Sequence, residues 1–449
     1  MKKNLSSAQI TSLDEFGQRR YLHPAEVKGK YRTLRTIVEI VLSFIFVVLP
    51  WFNINGHQSL LLDIQKREFY FFGFMLKAHN APMLLFILLG GALTLAFVTS
   101  VWGRVWCGWT CPQTVFIDGW FRRVEEFIEG PYLKRLELDR AGFSFSKLVK
   151  KSSKWIIFYF LSAFIAHSFL AYFVGSYKFI SIIEKGPSSN FTLFTIAQFV
   201  TLVLLFDFGW FREQFCTIMC PYGRIQGLLI GEDSLAVVYD EKRNDCVNCN
   251  RCVSACPIGI DIRNGLQMEC IACTACIDAC DEIMDKVKKP RGLIKYNTLN
   301  DKPISILKPR SLLYMLGISI CVIGLIYNLA FLKHSEAFIL RSKNEPFTVK
   351  ADETGTSIVT NHFRVNIHNQ SNDEKFYKLE ILNRPEITVI KPQVEINIPS
   401  QKSFDWHFFV SLPLKDFKNN NKAKVRVYDA KDANAFSKEF EITILGPQQ

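Results

Sequence analysis

Cys246-Val-Asn-Cys249-Asn-Arg-Cys252-Val-Ser-Ala-Cys256-Pro257 and Cys270-Ile-Ala-Cys273-Thr-Ala-Cys276-Ile-Asp-Ala-Cys280 repeat one spacing of four thiols. Three cysteines two residues apart wrap one face of a cubane cluster, and the fourth of each run reaches over to the other cluster. The spacing therefore predicts two [4Fe–4S] clusters. Cys246, Cys249, Cys252 and Cys280 hold one; Cys270, Cys273, Cys276 and Cys256 hold the other. Zinc also uses paired Cys-x₂-Cys, but four ligands per ion give no reason for eight cysteines in two identical runs. Interlocked cubanes lie close enough for electrons to hop, so this stretch is expected to be a ferredoxin-like electron carrier.

The two runs differ in one respect. Cys280 is followed by Asp281 where Cys256 is followed by proline, and only thirteen residues separate the runs. Both features predict a second cluster that is more exposed or more labile. Residues 232–285 hold eleven Asp/Glu against four Lys/Arg, which suits either a docking face for a basic electron donor or a solvated surface.

The 449 residues are too many for one ordinary domain and predict at least two or three units. Hydrophobic residues make up 49%. Five apolar stretches reach the roughly 20 residues that a bilayer requires: Leu34–Phe52, Pro82–Val101, Trp155–Val174, Phe191–Trp210 and Leu312–Leu332. Lys/Arg numbers in the segments between them alternate: seven in 1–33, three in 53–81, nine in 102–153, two in 176–190 and fourteen in 211–310. By the positive-inside rule the N-terminus and both long loops are cytoplasmic, and the fifth span carries the C-terminal region to the other side. This loop pattern also accounts for the net charge of +12. No basic–aromatic stripe marks a soluble domain, so nucleic acid is not an expected partner. The polar, charged first 33 residues do not read as a signal peptide.

Twelve of the thirteen cysteines fall in four short groups, a pattern of metal ligation in a reducing compartment rather than a disulfide framework. The two remaining groups are Trp102-Gly-Arg-Val-Trp-Cys107-Gly-Trp-Thr-Cys111-Pro112 and Phe211-Arg-Glu-Gln-Phe-Cys216-Thr-Ile-Met-Cys220-Pro221. Each follows an even-numbered span, and Cys107 and Cys216 are 109 residues apart, so the motif is an internal repeat. Thiols at i and i+4 lie on one helix face, and the prolines stop or bend the chain. If the repeats pack as a pair, four thiols meet near the cytoplasmic face. Such a set suits Cu(I), zinc or another cluster; buried apolar cysteines or a disulfide are the plain alternative.

Residues 336–449 change character. Phe363–His368, Val394–Ile398, Lys424–Tyr428 and Phe440–Leu445 alternate apolar and polar side chains, as half-buried strands do. Asn369–Asp373 and Asn419–Asn421 read as turns. Short strands over about a hundred residues predict an antiparallel β-sandwich. Glu39 and His167 fall inside spans, where an ionisable group is a functional candidate. His57 and His79 read as surface histidines, and Cys321 in the fifth span as a packing residue.

The five spans, the turns at Cys107/Cys111 and Cys216/Cys220, the two-cluster run and the C-terminal sandwich together resemble the cytochrome c oxidase accessory proteins of the CcoG/FixG/RdxA family. The resemblance covers nearly the whole chain. It implies a polytopic α-helical protein of the bacterial cytoplasmic membrane, with a cytoplasmic two-[4Fe–4S] ferredoxin-like module and a periplasmic immunoglobulin-like domain. The corresponding divisions are a tail (1–33), a four-helix membrane core (34–232), the cluster domain (233–300), the fifth helix (311–332) and the sandwich (336–449). It further implies biogenesis of cbb₃-type cytochrome c oxidase through reduction of Cu(II) to Cu(I). The partners are then membrane lipid, a cytoplasmic electron donor, and oxidase subunits or copper chaperones. Cys107, Cys111, Cys216 and Cys220 become the copper and redox site. Two other classes fit the same motifs: a quinol-linked electron-transfer subunit of a periplasmic reductase system, and a non-redox assembly scaffold in which the clusters serve as staples.

Overall fold

A computed structural model describes residues 21–447 apart from 55–56, 66–67, 78–80, 189, 331–334, 343–344, 352–356, 370, 372, 383–385, 401, 418–420 and 433–435. Two compact units, Met1–Ile326 and Tyr327–Gln449, divide the chain near the end of its last long helix.

Five helices of the first unit are long and apolar enough to cross a bilayer: Lys30–Trp51, Pro82–Trp102, Phe145–Val174, Phe191–Phe211 and Pro309–Ala330. Their outward faces carry large apolar side chains such as Ile40, Phe44, Leu88, Phe160, Phe199 and Ile323, a surface suited to lipid rather than water. The fifth helix packs on the second through small residues. A β-carbon on Gly324 would lie 2.7 Å from Phe86, one on Gly317 2.9 Å from Leu93, and one on Gly90 3.4 Å from Cys321. Cys321 is buried in that contact, the packing role expected of it.

The third helix starts at Phe145, ten residues before its apolar run. Backbone hydrogen bonding, not hydropathy, sets where a helix begins, and the extra turns are basic. Their Lys151 and Lys154 pair with Glu129 at 2.9 and 2.8 Å. That carboxylate comes from the 102–153 connection, which is largely helical, with Arg122–Glu129 and Tyr132–Arg140 its regular parts. The 53–81 connection contains a three-stranded antiparallel sheet, Leu60–Asp63, Glu68–Phe71 and Phe74–Lys77.

Leu235–Tyr239 pairs antiparallel with Ile294–Thr298 and closes the ferredoxin-like module between them. The module is fastened to the first span by Asp278, on helix Ala275–Lys286. The first N–H groups of any helix lack intrahelical partners, and Gly29 before the first span has no side chain to supply one. Asp278 accepts from the Tyr31 and Arg32 N–H groups at 3.3 and 2.7 Å. A β-carbon on Gly29 would collide with the Asp278 carboxyl group.

The second unit is an immunoglobulin-like sandwich. One sheet orders Thr388–Ile390, Ser403–Pro413, Ser357–Asn369 and Ser335–Arg341, with Thr348–Ala351 also on Ser357–Asn369. The other orders Glu395–Ile398, Lys375–Leu382, Asn421–Asp429 and Ser437–Ile444. Inward side chains of both, including Trp406, Phe408, Val365, Tyr377, Val425 and Ile442, form one buried cluster. All four period-two stretches fall within a residue of these strands. Of the expected Asn419–Asn421 turn, only Asn421 lies in the described residues, and it begins a strand.

Candidate metal centre

Two small cavities in the module are lined by cysteine. One is faced by Cys246, Cys249, Cys252 and Cys280, the other by Cys256, Cys270, Cys273 and Cys276. Each cavity thus gathers three cysteines of one run and the fourth of the other. Around the middle cysteine of each run the chain turns left-handed on both sides, at Asn248 (φ 53°) and Asn250 (φ 54°), and at Ala272 (φ 54°) and Thr274 (φ 63°). Asparagine tolerates this conformation, whereas alanine and threonine are strained in it by about 1–3 kcal/mol each. Such strain persists where bonds on either side hold it, and two metal–thiolate bonds would do so.

Backbone N–H groups of Asn248 and Ile260 point at the Cys246 and Cys256 sulfurs at 3.4 and 3.3 Å. Burial pushes the Cys256 and Cys280 thiols up to about 12 and Cys270 up to about 11. These thiols stay protonated until a cation displaces the proton. Strained loops, sulfur-directed donors and proton-holding thiols all fit a [4Fe–4S] group in each set. Among the described residues no three His, Cys, Asp or Glu side chains are placed to grip a single ion. Thiolates arranged around the outside of a cubane stand farther apart than those of a one-ion site.

The expectation of a more exposed second cluster is corrected. Cys249 of the first set is the exposed cysteine, while the second set packs among Ile258, Ile260 and Ile271. Asp281 replaces proline because the helix Ala275–Lys286 must run on through Cys280, and its carboxylate accepts from Gly292 N–H. The acidic surplus also fades as a docking face. Asp233, Asp240, Asp245, Asp261, Glu282 and Asp285 all pair with neighbouring Lys or Arg.

The two turns share one backbone design, but it is not the α-helical i, i+4 face. In each, a single π-helical turn, Trp106–Thr110 or Phe215–Met219, leads to an extended cysteine, Cys111 (ψ 128°) or Cys220 (ψ 113°). Proline then opens the next helix at its first position, where a missing N–H costs nothing. The repeats pack together. Arg104 donates to the Gly223 carbonyl at 2.7 Å, Thr99 and Tyr222 hydroxyls meet at 2.5 Å, and Cys107 Sγ donates to Gln226 Oε1 at 3.3 Å.

The four thiols feel one another. Burial, then Cys111, Glu213, Cys107 and Cys220, raise Cys216, and burial takes Cys107 up to about 11, with Cys111 and Cys220 adding to it. Gln226 is fully buried, and among the described residues its Nε2 has no hydrogen-bond partner. Turning the amide over would point that donor at the Cys107 sulfur. Sequence periodicity gave no signal for this residue; its only mark is a position five residues after Pro221.

The first turn abuts the second cysteine set. A β-carbon on Gly108 would lie 2.5 Å from the Ile271 carbonyl oxygen and 2.7 Å from that of Ala272. Cys107 packs in the cluster that contains Cys256, Cys270 and Cys273. Trp109 Nε1 donates to the Tyr296 hydroxyl at 3.0 Å, which donates on to the Ala272 carbonyl at 2.9 Å. Tyr31 packs edge-on against both rings.

Buried ion pairs, invisible to hydropathy, fix the connections around the site. Asp118 takes Arg35 and Arg122, and Arg122 also takes Glu213. Fully buried Glu125 receives Arg212 at 3.0 Å, Lys154 at 3.2 Å and Arg135 at 3.7 Å. Burial alone would raise both carboxyls, but Arg122 and Arg35 at Asp118, and Arg212 and Lys154 at Glu125, hold them well below the usual carboxylate range. Arg212 adopts left-handed backbone (φ 51°) to reach Glu125.

Glu39 belongs to the same system, 3.5 Å from Arg32 and Arg35 and 3.8 Å from Arg123. His167 bonds through Nδ1 to the Ala163 carbonyl at 2.5 Å and packs on Phe179. His79 and the side chain of His57 lie outside the described residues. A cavity of about 290 Å³ lies between this basic system and the module, touching Arg32, Arg35, Arg123 and Cys273.

A helical membrane core that holds a two-cluster ferredoxin module against a duplicated cysteine turn defines a membrane iron–sulfur electron-transfer protein. Residues 211–245 and 241–299 match the 4Fe-4S dicluster domain family, residues 84–129 a 4Fe-4S binding domain family, and residues 325–447 the IG-like fold at the C-terminus of FixG. The chain is 30% identical to nitrogen fixation protein FixG of Rhizobium meliloti, over 90% of this chain and 88% of FixG. It is 28% identical to protein RdxB of Cereibacter sphaeroides over 90% of each. A crystal structure of a FixG-related protein from Vibrio parahaemolyticus aligns over 25% of this chain and 97% of that one, at 13% identity and TM-score 0.21. The chain belongs to the FixG/RdxA family.

Proposed function

We propose that this protein reduces Cu(II) to Cu(I) for assembly of a cbb₃-type cytochrome c oxidase, one electron per ion, at Cys107, Cys111, Cys216 and Cys220. The carrying observation is the contact of Gly108 with the Ile271 and Ala272 carbonyls, which sets the first turn directly against the second cysteine set. When bound, one [4Fe–4S] cluster in each set supplies a one-electron carrier, with Cys246, Cys249, Cys252 and Cys280 as the first ligands and Cys256, Cys270, Cys273 and Cys276 as the second. The turn thiols favour the product. Cu(II) prefers nitrogen and oxygen while Cu(I) prefers sulfur, so thiolate ligation adds driving force to reduction. Cys107, Cys111 and Cys220 all act on the Cys216 thiol, so the two turns bring their sulfurs into one neighbourhood. Gln226 steadies the charge on Cys107 once the proton is gone.

The charge alternation supports a cytoplasmic N-terminus and module, a soluble cytoplasmic donor, and a periplasmic sandwich that docks oxidase subunits or copper chaperones. The divisions 1–33, 34–232, 233–300, 311–332 and 336–449 follow from the same reading.

One observation favours a second reading. The 4Fe-4S binding match at 84–129 contains Cys107 and Cys111 but none of the ferredoxin cysteines, which suits a third cluster at the turns. The deciding experiment uses Cys107→Ser/Cys111→Ser and wild type, purified anaerobically. Copper as substrate predicts about eight iron per chain in both, with cupric reduction per assembled cluster lost in the variant. About twelve iron in wild type and about eight in the variant would establish the third cluster instead, and full cupric turnover in the variant would end the copper reading.

A further inference from the structure

The outer face of the sandwich carries a pair of histidines that no part of the reading above uses. His362 on Ser357–Asn369 and His407 on Ser403–Pro413 are diagonal neighbours, since His362 pairs with Phe409 and Arg364 with His407. Diagonal positions on one sheet face are within reach of long or ring side chains. His362 Nε2 and His407 Nδ1 stand 3.0 Å apart. His407 is exposed and His362 half-buried. The His362 ring is stacked on Phe409 with centroids 4.5 Å apart and planes 20° apart, which limits its rotation. Burial and the neighbouring His407 hold His362 below the ordinary imidazole range, so its lone pair is available near neutrality.

Two imidazole nitrogens this close share one proton or one metal ion. Metal–nitrogen bonds of about 2.0 Å place cis ligands about 2.8 Å apart at a right angle and about 3.3 Å apart at a tetrahedral angle. The observed 3.0 Å lies between the two, and paired imidazoles suit Cu(II) and Ni(II) among divalent ions. Arg364 lies on the same face, but its guanidinium leans to Asp405 at 3.5 Å. Asp405 also accepts from Asn366 at 2.7 Å, so a carboxylate offsets the nearby cation.

We propose that His362 Nε2 and His407 Nδ1 form a two-imidazole site for a tetragonal divalent ion, Cu(II) foremost, on the outer face of the sandwich. The metal replaces the shared proton with a modest turn of each ring, and water completes its coordination. No redox step is involved. The site rests on the sandwich geometry alone and stands whether or not the turn thiols reduce copper.

The test uses the full-length protein and its Cys107→Ser/Cys111→Ser/Cys216→Ser/Cys220→Ser variant, each given one equivalent of Cu(II). In the cysteine variant, pulsed electron paramagnetic resonance is expected to show two equivalent imidazoles on the copper. In His362→Ala or His407→Ala that signature falls to one or none. Affinity drops by at least the roughly ten- to hundredfold that loss of a mere orienting partner costs a metal site. Because alanine could loosen the sheet, Cu(II)-dependent protection from thermal unfolding is measured as well, with His407→Gln. In the four-cysteine variant the parent gains midpoint temperature with Cu(II), and its His407→Gln derivative does not. Two-imidazole coordination that persists in the His362→Ala/His407→Ala double variant, or a single imidazole in the parent, overturns the site.

Discussion

Gly108→Ala is the smallest change that separates the first turn from the ferredoxin loop. Its new β-carbon would lie 2.5 Å from the Ile271 carbonyl oxygen and 2.7 Å from that of Ala272, both backbone atoms that no rotamer change can move. Restoring ordinary contact at 3.4 Å needs a displacement of about 0.9 Å (3.4 − 2.5) between the turn and the loop. Overpacking of this kind costs about 1–3 kcal/mol, too little to unfold a membrane protein with five packed spans. A misplacement near 1 Å at a reacting centre lowers rate by up to about a hundredfold. The expected result is normal iron content and visible absorption, with cupric reduction per assembled cluster reduced by one to two orders of magnitude. Gly91→Ala is the control, because a β-carbon there meets nothing within 4 Å; it should match wild type. Wild-type turnover in a fully loaded Gly108→Ala protein would refute the view that this contact carries the electron.

Cys249→Ser and Cys273→Ser should each bleach the broad charge-transfer absorption of the iron–sulfur protein, while Cys321→Ser, buried against Gly90, should keep it; absorption and acid-labile sulfide check both. Reporter fusions should place residues 150 and 260 in the cytoplasm and residue 400 outside, and a fusion at 400 that is active only in the cytoplasm would reverse the proposed orientation. Glu125→Gln leaves Arg212, Lys154 and Arg135 without their buried carboxylate and should cost about 3–5 kcal/mol, seen as a lower unfolding midpoint in detergent. The Glu125 carboxyl is held below its ordinary value of 4.5 by Arg212 and Lys154 against burial. Its contribution is therefore full near neutrality and lost as pH falls below about 4. The destabilisation by Glu125→Gln should shrink in that acid range, and a difference that stays constant down to pH 3 would count against the ion pair.

The elements legible in the sequence were those with a period or a spacing. The spans could be read because lipid demands long apolar runs, and the sandwich strands because one face of each is buried. The division of the eight ferredoxin cysteines between two cavities could be read because their spacing repeats. Phe145–Ser153 could not be read as helix, because its lysines are balanced by Glu129, a partner 22 residues before Lys151 in the chain. The local form of the turns was also hidden. Cys-x₃-Cys suggests a helix face, yet the proline after each second cysteine disfavours helical backbone at that cysteine, and the register becomes a π-turn followed by an extended residue.

The buried charges were the largest omission, and they bear on the site. Asp118, Glu125, Glu129 and Glu213 all lie in or beside the connections that carry the cysteine turns, and each is matched by arginine or lysine from a different part of the chain. Arg35 joins three regions at once. It pairs with Asp118, approaches Glu39 at 3.5 Å, and donates to the Cys273 carbonyl at 3.1 Å. One side chain thus ties the first span, the connection after the first turn, and a cysteine of the second set. A hydrophobic core could hold those pieces as firmly, but it would tolerate sliding, since apolar contacts have little direction. Paired charges with hydrogen-bond geometry fix orientation as well as distance. Gly108 requires that precision: with no side chain to adjust, its contact with Ile271 and Ala272 is only as exact as the elements on either side are rigid. The ionic system and the glycine contact are therefore two halves of one device, which holds two cysteine sites of different sequence origin at a set separation.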